Sequence, residues 1–193
     1  IDALYVILPF EKTFFEDKHD FKVHFVGHPL MDYIPDFPRD PSFLNDLNLT
    51  LEKPIVALLP GSRSQEIRKM LPLFKQVADH FPSYQFVIAG APGISQKQYS
   101  IYTQNSDVKV VYNATYNLLQ NSSAALVTSG TATLETALFK VPQLVCYRSS
   151  SISYWIAKRI LKIKYISLVN LILDRAAVLE LIQKECNPKR LIR

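Results

Sequence analysis

Residues 55–66 read Ile-Val-Ala-Leu-Leu-Pro-Gly-Ser-Arg-Ser-Gln-Glu, and residues 124–135 read Ala-Ala-Leu-Val-Thr-Ser-Gly-Thr-Ala-Thr-Leu-Glu. Each stretch is a short unbroken apolar run, then a glycine turn, then residues able to start a helix. A strand with one wet face alternates apolar and polar residues; an unbroken run means both faces are covered, as in a parallel sheet flanked by helices. The same form recurs at 85–89, closed by Gly90-Ala91-Pro92-Gly93, and at 108–112, 143–147 and 165–168. Helical stretches are expected over 64–80, 95–103, 115–121, 131–139, 152–163 and 176–186. Strand and helix in alternation, with right-handed crossovers, predict an α/β fold: a doubly wound, Rossmann-like parallel sheet with helices on both faces.

The first fifty residues read differently. Strands at 4–8 and 22–26 enclose a short helix at 11–17. A Pro-rich acidic stretch through Pro35, Pro38 and Pro41 then leads to a helical 42–47 and has the composition of a linker. We therefore divide the chain into 1–34, a remnant of a preceding domain with its linker, and 35–193, the α/β domain, with truncation at its carboxyl end left open.

Composition narrows the function. The 193 residues are 48% apolar and 20% charged, which excludes disorder, and no apolar run is long enough to span a bilayer. Of the charge, residues 1–50 carry four Lys/Arg against nine Asp/Glu, whereas the remainder carries eighteen against eight. The later part favours an anionic partner such as a phosphorylated ligand or a membrane surface. Nucleic acid is set aside for want of a basic–aromatic RNA motif or a recognition helix. Cys146 and Cys186 form neither a disulfide framework nor a metal site and read as core thiols.

In an open parallel sheet, ligands lie beyond the carboxyl ends of the strands. After the first stretch, Gly61 permits a tight turn, Ser62 or Ser64 can cap the helix, and Arg63 offers a planar fork suited to phosphate. No Gly-Lys-Ser/Thr follows, so this is not a Walker loop. After the second stretch, backbone amides with the hydroxyls of Ser129 and Thr131 can hold a diphosphate around Gly130. Glu135, a turn further on, can accept hydrogen bonds from ribose hydroxyls. Each loop alone could be no more than a capped turn; together they describe a nucleoside-diphosphate site. Without an Asp-x-Asp pair, the usual clamp for a metal–diphosphate complex is missing, and no metal or cofactor is called for. His28, in Gly27-His28-Pro29, is read first as a structural turn. The segment 151–164 sets Trp155, Ile156, Ile160 and Ile163 against Lys158, Arg159, Lys162 and Lys164. Such a helix could lie on an anionic membrane, although a basic solvated face is the preferred reading.

Several of these residues carry a resemblance. Leu8-Pro9-Phe10-Glu11, Gly27-His28-Pro29-Leu30, Leu59-Pro60-Gly61-Ser62-Arg63 and Ser129-Gly130-Thr131-Ala132-Thr133-Leu134-Glu135 stand in the order seen in the lipid-A-disaccharide synthase family. Asn170-Leu171 and Glu180-Leu181-Ile182-Gln183 resemble its closing motifs, with Val169 and Leu179 where proline is common. The resemblance implies the donor-binding half of a GT-B glycosyltransferase. Its reaction would join UDP-2,3-diacylglucosamine to 2,3-diacylglucosamine 1-phosphate with inversion, no metal and release of UDP, in the lipid A pathway of a Gram-negative bacterium. It further implies a cytoplasmic protein, peripheral on the inner face of the inner membrane. Carried over by motif, Gly61, Ser62 and Arg63 with Ser129, Gly130 and Thr131 meet the diphosphate, with Arg63 stabilising the leaving UDP. Glu135 holds the ribose, and Asn170, Arg175 and Gln183 line the cleft. The general base would lie in an amino-terminal domain, so this piece would bind UDP-sugar without turnover. A UDP-N-acetylglucosamine 2-epimerase-like enzyme and a non-catalytic nucleotide-binding domain stand as alternatives, and a homo-oligomer is left open.

Overall fold

A computed structural model describes residues 2–148 and 164–193. Six strands form one all-parallel sheet: β3 (Ile55–Leu59), β4 (Gln85–Gly90), β5 (Lys109–Tyr112), β6 (Ala124–Thr128), β7 (Gln143–Tyr147) and β8 (Leu179–Ile182). Their order across the sheet is β5-β4-β3-β6-β7-β8. From the central pair the chain winds outward one way through β4 and β5, then returns and winds the other way through β7 and β8. This is the doubly wound order with its switch point between β3 and β6.

The unbroken apolar strands do what their sequence requires. On β3, Val56 and Leu58 face one core and Ile55, Ala57 and Leu59 the other. The first core is covered by α4 (Ser64–His80), whose Ile67, Met70, Leu71, Phe74 and Val77 form one buried stripe. Tyr99 from α5 (Gln96–Thr103) and Leu191 from α9 (Pro188–Ile192) complete that layer. The second core is covered by α6 (Thr115–Gln120), with Leu118 and Leu119 buried, and by α7 (Thr131–Leu138).

Sequence and structure part at the carboxyl end. Residues 165–168 form no strand; they lead into α8 (Leu168–Leu173). The sixth strand is instead β8, inside the segment expected to be helical. Leu-Glu-Leu-Ile is a half-covered edge strand, exposed at Leu179 and buried at Leu181, and its acidic and aliphatic residues equally suit a helix; pairing with β7 decides. The helix expected at 152–163 lies outside the described residues.

The amino-terminal part is a β–α–β unit: β1 (Tyr5–Val6) and β2 (His24–Phe25) pair in parallel around α1 (Pro9–His19). Past Gly27, His28 Nδ1 accepts from the Leu30 amide at 3.2 Å and closes a turn into α2 (Leu30–Tyr33). The Pro-rich stretch is no free linker. The Phe37 ring packs edge-on against Tyr116 and Phe139, the Gln120 amide donates to Phe37 O, and Phe43 of α3 (Phe43–Asp46) and Leu49 enter the second core.

Cys146 and Cys186 are free thiols, fully buried together in the first core. A hydrogen bond with Cys186, reinforced by burial, holds the Cys146 thiol well above its ordinary pKa, so the reactive thiolate is suppressed. Both thiols are closed off from solvent, so neither should react with a thiol reagent at neutral pH until the protein unfolds; stoichiometric labelling of the native protein would contradict this. Phe74 is wholly buried. Phe74→Ala should cost about 3–5 kcal/mol, read as a shift in denaturant midpoint.

Candidate functional site

At the switch point the loops after β3 and β6 diverge and leave a crevice between them. Gly61, Ser62, Arg63, Ser129, Gly130, Thr131 and Glu135 line one cavity there, of about 420 Å³. Ala89, Gly90, Ala91 and Pro92, at the end of β4, form its floor on one side. The two loops singled out from sequence are therefore two walls of a single site.

The walls are not equivalent. The β3–α4 loop is capped from within: the Glu66 carboxylate accepts from the amides of Ser62 (3.0 Å) and Arg63 (3.2 Å) and from the Arg63 guanidinium (3.0 Å). Contrary to the sequence expectation, neither Ser62 nor Ser64 caps α4; Arg63 holds the N-cap position, and the Ser64 hydroxyl donates to Gln98. Gly61, at φ +102°, is required here, since a Cβ would stand 2.8 Å from Glu66 Cβ. This wall therefore shows a ligand the Arg63 side chain, which is 81% exposed, and not its amides.

The β6–α7 wall is open. Among the described residues no hydrogen bond engages the amides of Gly130, Thr131 or Ala132. Three successive free N–H groups at the start of a helix form an anion cradle. Gly130 reaches φ +154° to make the turn. The Ser129 hydroxyl donates to Ile166 O at 2.6 Å, so it ties the loop down and keeps only its lone pairs for a ligand. Glu135 sits at the cavity edge with Oε1 bonded to the Tyr116 hydroxyl at 2.9 Å, and among the described residues Oε2 has no partner. Sequence reasoning missed Tyr116, which fixes the rotamer of Glu135. Burial and that hydrogen bond raise the Tyr116 pKa above 10.

The remaining three predicted residues lie elsewhere. Asn170 does not line the cavity; it is 1% exposed and its amide is fully used. Its Nδ2 donates to Val178 O and Glu180 Oε1, while Oδ1 accepts from the Ala177 and Val178 amides. Glu180, also missed, accepts from the amides of Ile166 and Ser167, the Ser167 hydroxyl and Asn170. Asn170 thus acts on the site at one remove, by holding the 166–167 turn on which Ser129 is anchored. Arg175 is an exposed residue beyond α8 and outside the cavity lining. Gln183, at φ +53°, lines a separate cavity. Among the described residues no group of His, Cys, Asp or Glu has a metal-binding arrangement, and no helix is long and apolar enough to cross a membrane.

An open α/β sheet with free amides at its switch point belongs to the class of folds that place anionic ligands beyond the carboxyl ends of their strands. Comparison with known proteins narrows this: the profile of the lipid-A-disaccharide synthetase family matches residues 1–192, and the chain belongs to that family. It is similar to the lipid-A-disaccharide synthases of Hahella chejuensis (36% identity over 199 residues, 99% of this chain and 50% of that protein) and Persephonella marina (35% over 204 residues, 100% and 54%). The chain thus spans about half the length of the curated relatives it matches. Among solved structures it resembles Methanocaldococcus jannaschii UDP-GlcNAc 2-epimerase in complex with UDP-GlcNAc and UDP (TM-score 0.63, 12% identity, 98% of this chain and 52% of that one). It also resembles WaaG, a glycosyltransferase involved in lipopolysaccharide biosynthesis (TM-score 0.58, 11% identity, 99% and 54%). These likenesses show the shared fold.

Removing the acceptor at the centre of the anchor should loosen the β6–α7 wall from a distance. Glu180→Ala strands several buried donors and should destabilise the protein by about 2–4 kcal/mol; an unchanged unfolding midpoint would remove Glu180 from this role. At Tyr116 the sign runs toward alkaline loss. The native state holds the phenol proton more tightly than the unfolded chain, so its contribution is complete below pH 10 and declines above it. Tyr116→Phe should flatten that decline in a pH–stability profile.

Proposed function

We propose that this chain forms the donor-binding half of a glycosyltransferase that moves 2,3-diacylglucosamine from UDP to 2,3-diacylglucosamine 1-phosphate. The observation that carries the reading is the convergence of Arg63, three free amides and Glu135 on one switch-point cavity, in a chain of this family. The structural neighbour that holds UDP and UDP-GlcNAc supports a nucleotide-sugar donor on this fold.

In the proposed reaction an acceptor hydroxyl attacks the anomeric carbon of the donor from the face opposite UDP, which inverts that centre. The carbon–oxygen bond to the β-phosphate breaks and its electron pair leaves with UDP. The amides of Gly130, Thr131 and Ala132 and the Arg63 guanidinium are placed to meet the charge that grows on the diphosphate. These groups supply positive potential without a metal. Glu135, steadied by Tyr116, orients the ribose. The base that takes the acceptor proton is assigned to the part of the enzyme outside these 193 residues. A peripheral seat on an anionic membrane, at the inner face of a Gram-negative inner membrane, completes the proposal; the cationic, Trp-bearing segment 151–164 supports it from sequence.

Calorimetric titration with UDP tests the site. Arg63→Ala and Glu135→Ala should each weaken binding about tenfold or more, since each removes a charged hydrogen-bonding partner. Unchanged affinity in both variants, or no binding by the folded protein, would overturn the assignment.

A further inference from the structure

A second cavity borders α4. Arg68 and Lys69 on that helix, Arg148 just beyond β7 and Lys184 just beyond β8 surround a cavity of about 460 Å³, with Gln183 and Pro72 completing its wall. The turn after β8 is tied to β7 by a 2.8 Å hydrogen bond from the Gln183 amide to Tyr147 O, which fixes Arg148 and Lys184 on adjacent strand ends. Arg68 is held along its helix by a 3.2 Å bond from Nε to Ser64 O, leaving the terminal nitrogens of its fork for other partners.

Among the described residues no carboxylate lines this cavity. The ion pairs among the described residues join Arg63 to Glu66, Lys75 to Asp79 and Lys164 to Asp174, and none involves the four cations. Like charges gathered around one concavity repel each other, and an anion placed among them removes that repulsion. Among the described residues the lining has no aromatic ring on which a base could stack, which disfavours nucleic acid. Its concave shape suits a compact group better than a flat bilayer face. Planar forks and point charges together match the oxygens of a phosphate monoester.

We propose that Arg68, Lys69, Arg148 and Lys184 form a second anion subsite that binds a phosphate monoester, separate from the switch-point cavity. It lies beyond β7 and β8, one to two strand spacings from the end of β6, roughly 5–10 Å. A terminal phosphate bound there and a diphosphate at the switch point would occupy the same carboxyl edge of the sheet. The subsite does not depend on UDP being the ligand of the first cavity.

The test follows the arginine Nε–Hε signals by NMR while glucose 1-phosphate is added to the protein already saturated with UDP. The expected result is saturable movement of the Arg68 and Arg148 signals with Arg63 unmoved. Arg148→Gln with Lys184→Gln should weaken binding about tenfold or more. Arg148→Lys with Lys184→Arg should retain most of it, and Arg63→Ala should leave it unchanged. If UDP does not bind, the same titration is run without it, so failure of the donor assignment stays distinct from failure of this one. A parallel arm measures sedimentation with phosphatidylcholine vesicles that do or do not contain phosphatidic acid. Binding of the soluble ester alone identifies a sugar phosphate as the source. Vesicle binding lost in the Arg148→Gln/Lys184→Gln protein identifies a lipid headgroup. Movement confined to Arg63, or binding indifferent to the double substitution in both arms, overturns the proposal.

Discussion

The parallel pairing of β3 with β6 is the constraint from which the site follows. Val56 to Leu59 lie in register with Ala124 to Val127, so both strands end at the same level. Their following helices depart to opposite faces of the sheet, α4 over the first core and α7 over the second. The gap between the departing loops has a helix start on either side. A slip by one residue would reverse the facing of every side chain on the strand. Ala57 and Leu59 would then trade places with Val56 and Leu58, and both cores would be lost together.

Given that crevice, the two loops have taken different solutions to the same problem of unpaired helix-terminal amides. At α4, Glu66 reaches back and satisfies them, and its charge is partly offset by Arg63. At α7 no such carboxylate stands in the first turn; Glu135 is too far along the helix and is turned toward Tyr116. The amides there remain unsatisfied by protein, which is tolerable only where solvent or a ligand can reach them. The open wall is kept in shape from behind, through Ser129 to Ile166 and on to the Glu180 carboxylate. A polar network at the β8 edge thereby fixes the geometry of a cradle at the sheet's centre.

The strands were legible wherever burial on both faces made their composition one-sided. Ile55–Leu59 and Gln143–Tyr147 have the bounds their apolar runs announce, and α4 follows from its amphipathic spacing. Legibility failed at the edge, where Leu179–Ile182 is half solvated and its pattern suits either element; only pairing with β7 distinguishes them. The cavity-lining residues of both loops were readable because glycine, hydroxyl and charge follow directly on a strand. Asn170 was misplaced for an instructive reason. An exposed-looking polar residue in a motif can serve by filling all its hydrogen bonds inside the protein, and sequence does not reveal where an amide's partners lie. Tyr116 and Glu180 were invisible for the same reason, each depending on a partner 19 or 10–14 residues away.

The charge asymmetry of the chain acquires a location from α4. Its buried stripe of Ile67, Met70, Leu71 and Phe74 pins the helix to the sheet. Its surface is therefore a rigid wall, with Arg63 and Glu66 beside the switch point and Arg68 and Lys69 beside the ends of β7 and β8. Cations on a packed helix hold fixed positions and lose less entropy on meeting an anion than cations on a loop. The positive excess of residues 51–193 is in this respect not a diffuse surface property. Part of it is gathered around Arg68, Lys69, Arg148 and Lys184, whereas at the switch point Arg63 stands against Glu66 and Glu135.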